Sequence, residues 1–400
     1  MESLAISDLP VHTVRRVFPT IISLSDNSWE SGLTGRQHVL GRLARRHRTF
    51  YINPLHDLRS AAGWLNPKHW GPRWYSDSTG VRVLDWPVWL GQCYRPRLEQ
   101  PLLEKRRQLL TELAHRETDG APPILYVWHP DQWPLVEHLP ASLVCYHVYD
   151  HYELLAPRFR DRIAANHERL AERADVVICV TAKLADRFGG VSDRVHVVPN
   201  GADYPHFSRE HLPEPSEIAD LPHPRLMLVA RLNGNYNYRL MREVIDALQF
   251  PLIIVGPRRG MPEDISNDFD DLIAHPRVRW VGEQPFERLP EFVNHCDIGL
   301  IPYRAGTSSD FASPLKLFEY LAAGKGVVTA DVESVYPYQP VVGVADSVNQ
   351  WIRVIKHTLN DSTAVTDSRR TLARANSWDT RVEQIEMILN EALTTRENLE

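Results

Sequence analysis

Two series of short apolar runs, each interleaved with helix-period patterns, are separated by a proline-rich break, and that layout leaves the chain few architectures. In the first series Phe18 to Leu24, Phe50 to Asn53, Ile124 to Trp128, Leu143 to Tyr149, Asp175 to Thr181 and Val195 to Val198 read as strands. Gln37 to Arg46, Glu104 to Glu117 and Phe159 to Ala174 read as helices between them. Apolar strands alternating with helices are the pattern of a parallel sheet wrapped on both faces. From Asp203 to Pro224 the composition shifts, with Pro205, Pro213, Pro215, Pro222 and Pro224 punctuating a polar stretch. The alternation then restarts, with strands at Leu226 to Ala230, Leu252 to Val255, Arg279 to Val281, Ile298 to Pro302 and Val327 to Ala330. Helices are expected over Tyr238 to Leu248, Glu287 to Cys296, Val348 to Leu359 and about Asp379 to Leu393. This predicts an α/β protein of two doubly wound, Rossmann-like domains, covering 1–203 and 225–378, with a linker over 204–224 and a terminal helix in 379–400.

Length and composition agree. Four hundred residues exceed one typical core, and 43% hydrophobic with 24% charged residues describes a soluble globular chain. A net charge of -6 argues against general nucleic-acid affinity. Arg42 to Arg48 forms a local basic cluster, either a solvated helix face or a contact with an anionic lipid surface or substrate. The sequence contains no apolar run of membrane-spanning length, and its N-terminus lacks the basic-then-apolar layout of a signal peptide. Cys93, Cys145, Cys179 and Cys296 are far apart and fit thiols in a reducing cytoplasm.

The densest local signal is Asp310-Phe-Ala-Ser-Pro-Leu-Lys-Leu-Phe-Glu-Tyr-Leu-Ala-Ala-Gly-Lys-Gly-Val-Val328. Ser313 suits a helix N-cap and Pro314 the first helical position, where a missing N–H costs nothing. Lys316, Glu319 and Tyr320 follow at i, i+3 and i+4 and share a face. Gly324 ends the helix, and Val327-Val328 opens a strand. A helix start attracts anions, Lys316 adds a cation, and Glu319 lies about one turn on. That set fits a diphosphate with a sugar hydroxyl beside it; an ordinary surface Lys–Glu pair fits the same spacing.

The stretch from Pro314 to Val328 resembles the donor-binding segment of GT-B glycosyltransferases, particularly the family 4 type. The resemblance implies two Rossmann-like domains facing a cleft, with the terminal helix returning to the first domain. It implies that Glu319 binds the ribose of a nucleotide sugar, and that the helix start at Ser313, Pro314 and Leu315 holds the diphosphate with nearby cations. Val197-Val-Pro-Asn-Gly-Ala-Asp203 resembles the family's hinge motif, placing Asn200 and Gly201 at the donor edge. Leu228-Val-Ala-Arg-Leu232 resembles the opening of its second domain, where Arg231 would reach the phosphates. Tyr236 stands where the family often carries a Lys, so the second cation is Lys316 or Arg239. Gly256, in Leu252-Ile-Ile-Val-Gly-Pro257, would border the nucleotide, and Trp280 to Pro285 would receive the base.

In the first half, Tyr146-His-Val-Tyr-Asp-His-Tyr152 is similar to a family segment with acidic residues at the positions of His147 and His151; Asp150 keeps an acidic position. Asp150 would orient the donor sugar or accept a proton, whereas the histidines equally suit a hydrogen-bonded strand end. Trp128 and His129, with Asn27 in Ser25-Asp-Asn-Ser-Trp29 and the segment Gly32 to His38, would line the acceptor side with His147. One departure stands out. Many retaining members carry a second Glu eight residues before the position of Glu319, and here that residue is Phe311.

The expected protein is a cytoplasmic glycosyltransferase (EC 2.4, hexosyltransferase type) in glycan, cell-envelope or natural-product biosynthesis. It would move a sugar from a nucleoside diphosphate to an acceptor hydroxyl on a glycan, lipid-linked or small molecule, with retention. Asp150, Arg231 and Lys316 would be catalytic, with no metal or other cofactor required, and peripheral contact at the inner membrane face is compatible with the basic cluster. The alternatives are a GT-B epimerase, a cyclitol-coupling transferase, or a nucleotide-sugar-binding subunit without chemistry of its own. No strand leads into a Gly-x-Gly-x-x-Gly turn, which disfavours an NAD-linked dehydrogenase.

Overall fold

The computed structural model describes residues 19–57, 69–93 and 95–398. Phe18, where the first expected strand begins, and the N-terminal residues read for a signal peptide lie outside the described residues. The first sheet has eight strands: β1 (Ile21–Leu24), β2 (Thr49–Ile52), β3 (Arg73–Ser76), β4 (Arg82–Asp85), β5 (Ile124–Val127), β6 (Leu143–Val148), β7 (Val176–Cys179) and β8 (Val195–Val197), in the order β3-β4-β2-β1-β5-β6-β7-β8. Every pairing is parallel except β3 with the neighbouring β4. The second sheet is parallel throughout and holds β9 (Leu226–Val229), β10 (Leu252–Val255), β11 (Val278–Trp280), β12 (Ile298–Ile301), β13 (Gly326–Thr329) and β14 (Gly343–Val344), in the order β11-β10-β9-β12-β13-β14. In both sheets the winding direction reverses beside the first strand, at β1/β5 and at β9/β12. Open α/β sheets bind ligands outside the carboxyl ends of the strands at such reversals. The two reversals therefore nominate the segments after β1, β5, β9 and β12.

Among the described residues, the α-helices of eight residues or more are α1 (Gly35–Leu43), α2 (Pro96–Glu117), α3 (Arg160–Arg173), α4 (Tyr238–Leu248), α5 (Glu263–Ile273), α6 (Leu315–Ala322), α7 (Val348–Thr358), α8 (Thr363–Ala375) and α9 (Trp378–Glu397). Each sheet is covered on both faces by buried side chains. Ile22, Leu24, Leu125, Val127 and Tyr146 pack on one side of the first sheet, and Ile21, Tyr51, Tyr126 and Ile178 on the other. The proline-rich stretch is packed rather than free, since Phe207 and Ile218 are buried with Met227, Ile253 and Leu317 in the second domain's core. No helix among the described residues is long and apolar enough to cross a membrane.

The chain leaves the first sheet after β8 and returns at the start of α9, and the two crossings are hydrogen-bonded to each other. Ala202 N–H donates to the Asn376 carbonyl at 3.1 Å, and Trp378 N–H to the Ala202 carbonyl at 2.9 Å. Helix α9 then lies on the first domain, burying Trp378, Val382, Ile385, Leu389 and Leu393 with Val39, Leu40 and Leu43 of α1. The basic cluster serves this docking. Arg42 and Arg45 reach Asp379 at 3.1 and 3.2 Å, and Arg46 and His47 reach Glu386 at 2.7 and 3.0 Å. Arg48 pairs with Glu117 at 3.0 Å, so the cluster is engaged inside the molecule.

Sequence patterning misses α5, α8, the β3–β4 hairpin and β14, and starts α2 at Glu104 rather than at Pro96. Helix α5 is rich in Asp and Asn, which favour turns; its stripe of Ile265, Phe269 and Leu272, buried against the second core, overrides that preference. Proline at positions 96 and 101 conceals the first turns of α2.

The crossing is tight at Gly201, where a Cβ would stand 2.8 Å from the Asn376 carbonyl oxygen and 2.9 Å from Trp378 N. Gly201→Ala is expected to lower the stability of the fold by about 2 kcal/mol, read as a lower midpoint at constant m in urea unfolding. Gly189→Ala, with nothing within 4 Å of the added methyl, is expected to stay within about 0.5 kcal/mol of wild type.

Candidate functional site

Where the carboxyl ends of the two sheets face each other lies a cavity of about 430 Å³. The first domain contributes Asp26 and Asn27 after β1, Thr34 to Arg36 at the start of α1, Trp128 after β5, and His147 and Tyr149 at the end of β6. Arg231 after β9, Leu315 at the start of α6, Asn200 at the crossing and Trp378 of α9 close it. Six residues expected from the sequence thus share one cavity: Asn27, Trp128, His147, Asn200, Arg231 and Leu315. Asp150, Lys316, Glu319, Ser313, Pro314, Gly201, Gly256 and His129 stand outside its lining. Arg36 and Asp26 fall in segments that the sequence assigns to the acceptor side without singling them out. Trp378 carries no sequence signal, because only the return crossing brings it there.

On the second-domain side, the Arg231 guanidinium donates to the Ser31 carbonyl at 2.6 Å, across the gap between domains. It lies against Gly32, whose φ of +100° favours glycine and whose absent Cβ would stand 2.9 Å from Arg231 Nη2. Loss of water and the charges of Arg259 and Arg36 lower its pKa, so this region is rich in cations. Lys316 makes no ion pair with Glu319. Its ammonium donates to the Tyr236 hydroxyl and sits 4.7 Å from the ring centre of Tyr236 and 5.6 Å from that of Tyr303. Tyr236 therefore orients the lysine of α6 at the position where the resembled family often has a lysine of its own. Arg239 is exposed and faces Glu243, which leaves Lys316 as the better-placed second cation.

The Glu319 carboxyl has no hydrogen-bond partner among the described residues, although its backbone carbonyl accepts from Ala323 N–H at 3.3 Å. Loss of water pushes its carboxyl up to about 7, against the opposing pull of Lys316. Helix α6 begins at Leu315 with Pro314 at the cap, so Ser313 does not cap it as expected. The Ser313 hydroxyl instead accepts from Asn200 N–H at 3.1 Å, and the Asn200 side chain donates to the Ser313 carbonyl at 2.7 Å. The pair fastens the crossing to the start of α6, whose first turn carries no side-chain cap. Gly256 ends β10 at φ +133°, and a Cβ there would fall 1.8 Å from the Ala230 carbonyl oxygen, just before Arg231.

On the first-domain side, Trp128 and His147 are stacked with ring centres 4.3 Å apart. The His147 Nδ1 meets the Tyr126 hydroxyl at 2.7 Å, while burial, with the charge of Arg36, pushes its pKa down to about 3. His147 is therefore neutral at physiological pH. His129 Nδ1 accepts from Asp131 N–H at 3.1 Å, a strand-end role. Asp150 accepts from His151 N–H at 2.8 Å, and burial followed by the charge of Asp26 outweighs that bond to raise its carboxyl to about 7. Phe311 packs edge-on to His151 at 4.6 Å and beneath the Lys183 ammonium at 4.7 Å, so the position resembling a catalytic acid is an apolar contact between the domains.

Residues 223–361 match the family model for glycosyl transferases group 1. That segment runs from just before β9 to just past α7. The whole chain has the GT-B fold. A crystal structure of sucrose-phosphate synthase from Thermosynechococcus elongatus superimposes with a TM-score of 0.67 at 16% identity, over 94% of this chain and 99% of that one. Anabaena HepE, in complex with UDP and glucose, superimposes with a TM-score of 0.62 at 18% identity, over 93% of this chain and 99% of that one. In sequence, 248 residues are 29% identical to the putative teichuronic acid biosynthesis glycosyltransferase TuaH of Bacillus subtilis (strain 168). That alignment covers 58% of this chain and 61% of the relative's length. The matched segment contains Arg231, Gly256 and α6, whereas Asp26, Arg36, Trp128 and His147 lie before it.

Glu319 supplies a test of the site's electrostatics. A carboxyl raised to about 7 stabilises the fold fully below its unfolded value near 4.5, and loses that contribution as pH rises through 7. The melting temperature of Glu319→Gln relative to wild type is therefore expected to climb between pH 5 and pH 8 and level off above; a flat difference would mean that Glu319 is not desolvated.

Proposed function

We propose that this protein is a glycosyltransferase that moves a sugar from a nucleoside diphosphate to an acceptor hydroxyl, with retention at the anomeric carbon. The observation that carries this reading is the meeting of Arg231, the start of α6 and the aromatic wall of the first domain at one interdomain cavity. As the C1–O bond to the diphosphate breaks, negative charge builds on the departing phosphate, and fixed cations and N–H groups aimed there are usually the largest catalytic term. In this reading Arg231, Lys316 and the first turn of α6 supply them. Glu319 takes the ribose hydroxyls, Gly256 lets the nucleotide approach the β10 turn, and Asn200 and Gly201 form the hinge edge of the donor site. Trp128 and neutral His147 offer flat faces to sugar rings. Asp150, poised near 7, accepts the acceptor's proton or orients the sugar. HepE is described in complex with UDP-glucose, and a nucleoside diphosphate sugar of that kind is the donor class proposed here. Closure of the domains would shield the donor from water.

Phe311 favours a second reading, a subunit that holds a nucleotide sugar without turning it over. An acceptor-dependent assay of nucleoside diphosphate release, run on donors first selected by thermal shift, separates the two. With turnover, Arg231→Ala is expected to lower kcat about a hundredfold, and Glu319→Ala to raise the donor KM about tenfold with a smaller change in kcat. Asp150→Asn is expected to remove an acid limb near pH 7 from the rate profile. A donor that binds without release supports the second reading, and a donor isomerised without acceptor points to an epimerase.

A further inference from the structure

The cavity is lined by a buried cation, Arg36, with much of its hydrogen-bonding capacity unspent. Arg36, in the first turn of α1, is 5% exposed and lines the cavity beside Thr34 and Gly35. A guanidinium carries five N–H donors in a planar fork. Among the described residues its Nε is buried without a partner, and its Nη1 reaches Asp26 only at 3.5 Å, beyond the usual 2.7–3.2 Å range. Asp26 is an occupied partner, because its carboxylate also accepts from the Tyr149 hydroxyl at 3.1 Å and the Ser25 hydroxyl at 3.2 Å. The flat side of Arg36 is covered by the Tyr149 ring, with its centre 4.9 Å away. What remains is the edge of the fork, in a cavity walled by Val39, Trp128 and Trp378.

Burial opposes the charge of Arg36 while Tyr149 and Asp26 hold it, and an anion meeting the unpartnered edge of the fork is a further partner suited to it. The charge of Arg36 also pervades the site, since it lowers the pKa of His147, His129 and Arg231. The cation belongs to the first domain, whereas Arg231 and Lys316 come from the second. We infer that Arg36 receives a carboxylate or phosphate carried by the acceptor, so that the acceptor is an acidic or phosphorylated sugar rather than a neutral one. This rests on the proposed reading of the cavity, with the donor's diphosphate held by the second domain. Carboxylate and phosphate share the recognition chemistry of the fork.

Isothermal titration of the intact chain tests this, using glucuronate, galacturonate and glucose 6-phosphate against glucose and galactose, with inorganic pyrophosphate as an occupant of the diphosphate cradle. At least one anionic sugar is expected to bind tenfold or more tightly than its neutral parent, with the uronates and the sugar phosphate reporting separately which anion is read. Arg36→Gln is expected to erase that preference while leaving neutral-sugar and pyrophosphate affinity within twofold, and Arg36→Lys to retain part of it. Retained pyrophosphate binding and an unchanged melting temperature show that the variants are folded. Equal binding of charged and neutral sugars by wild type, or an intact preference in Arg36→Gln, overturns the inference. A parallel loss of pyrophosphate in Arg36→Gln also overturns it, by assigning Arg36 to the donor. Wild type that binds no pyrophosphate fails the donor reading instead, and the sugar preference is judged on its own.

Discussion

The geometry of this molecule depends on the short ladder at which the chain leaves the first domain and comes back. Ala202 donates to Asn376 and accepts from Trp378, and Gly201 is the residue that allows the strands of that ladder to lie so close. Asn200, one residue earlier, bonds through both backbone and side chain to Ser313, ahead of α6. Helix α9 departs from the same point and is anchored to α1 by an apolar stripe and by Asp379 and Glu386. One small region thus sets where the second sheet's carboxyl edge points relative to the first, and with it every wall of the cavity.

Within that frame, desolvation decides the charge state of the site more than pairing does. Glu319 and Asp150 are both held near 7, although Lys316 lies near one and a backbone N–H meets the other. His147 goes the opposite way, to about 3, for the same physical reason. The permanent charges are those of the arginines, whose protonation survives burial. Arg36 and Arg231 line the cavity, while burial pushes Glu319, Asp150 and His147 toward their neutral forms.

The fold was legible because strands buried on both faces appear as unbroken apolar runs, and Leu226 to Val229 or Leu252 to Val255 can hardly be read otherwise. Helix α5 was not, since Asp and Asn are frequent in it and tertiary burial of a few positions keeps it helical; α8 shows no apolar stripe to read, because the positions it buries are Arg369 and Ala373. The site divides along the same line. Helix α6 and Arg231 lie in local motifs with a recognisable spacing. Arg36 and Trp378 are remote from those motifs in sequence and reach the cavity only through the docking of α9 on α1. The expectation that Ser313 caps α6 failed for a related reason, because a long-range partner, Asn200, claims its hydroxyl.

The contact between Arg231 and Ser31 has a further consequence. One N–H of the Arg231 guanidinium is given to a backbone oxygen of the first domain, which fixes where the remaining donors of the fork point. That oxygen lies in the loop that leads, through Gly32 and Thr34, into the first turn of α1. A single side chain spanning the gap thus ties the strand end of the second domain to the loop that opens the first helix of the first.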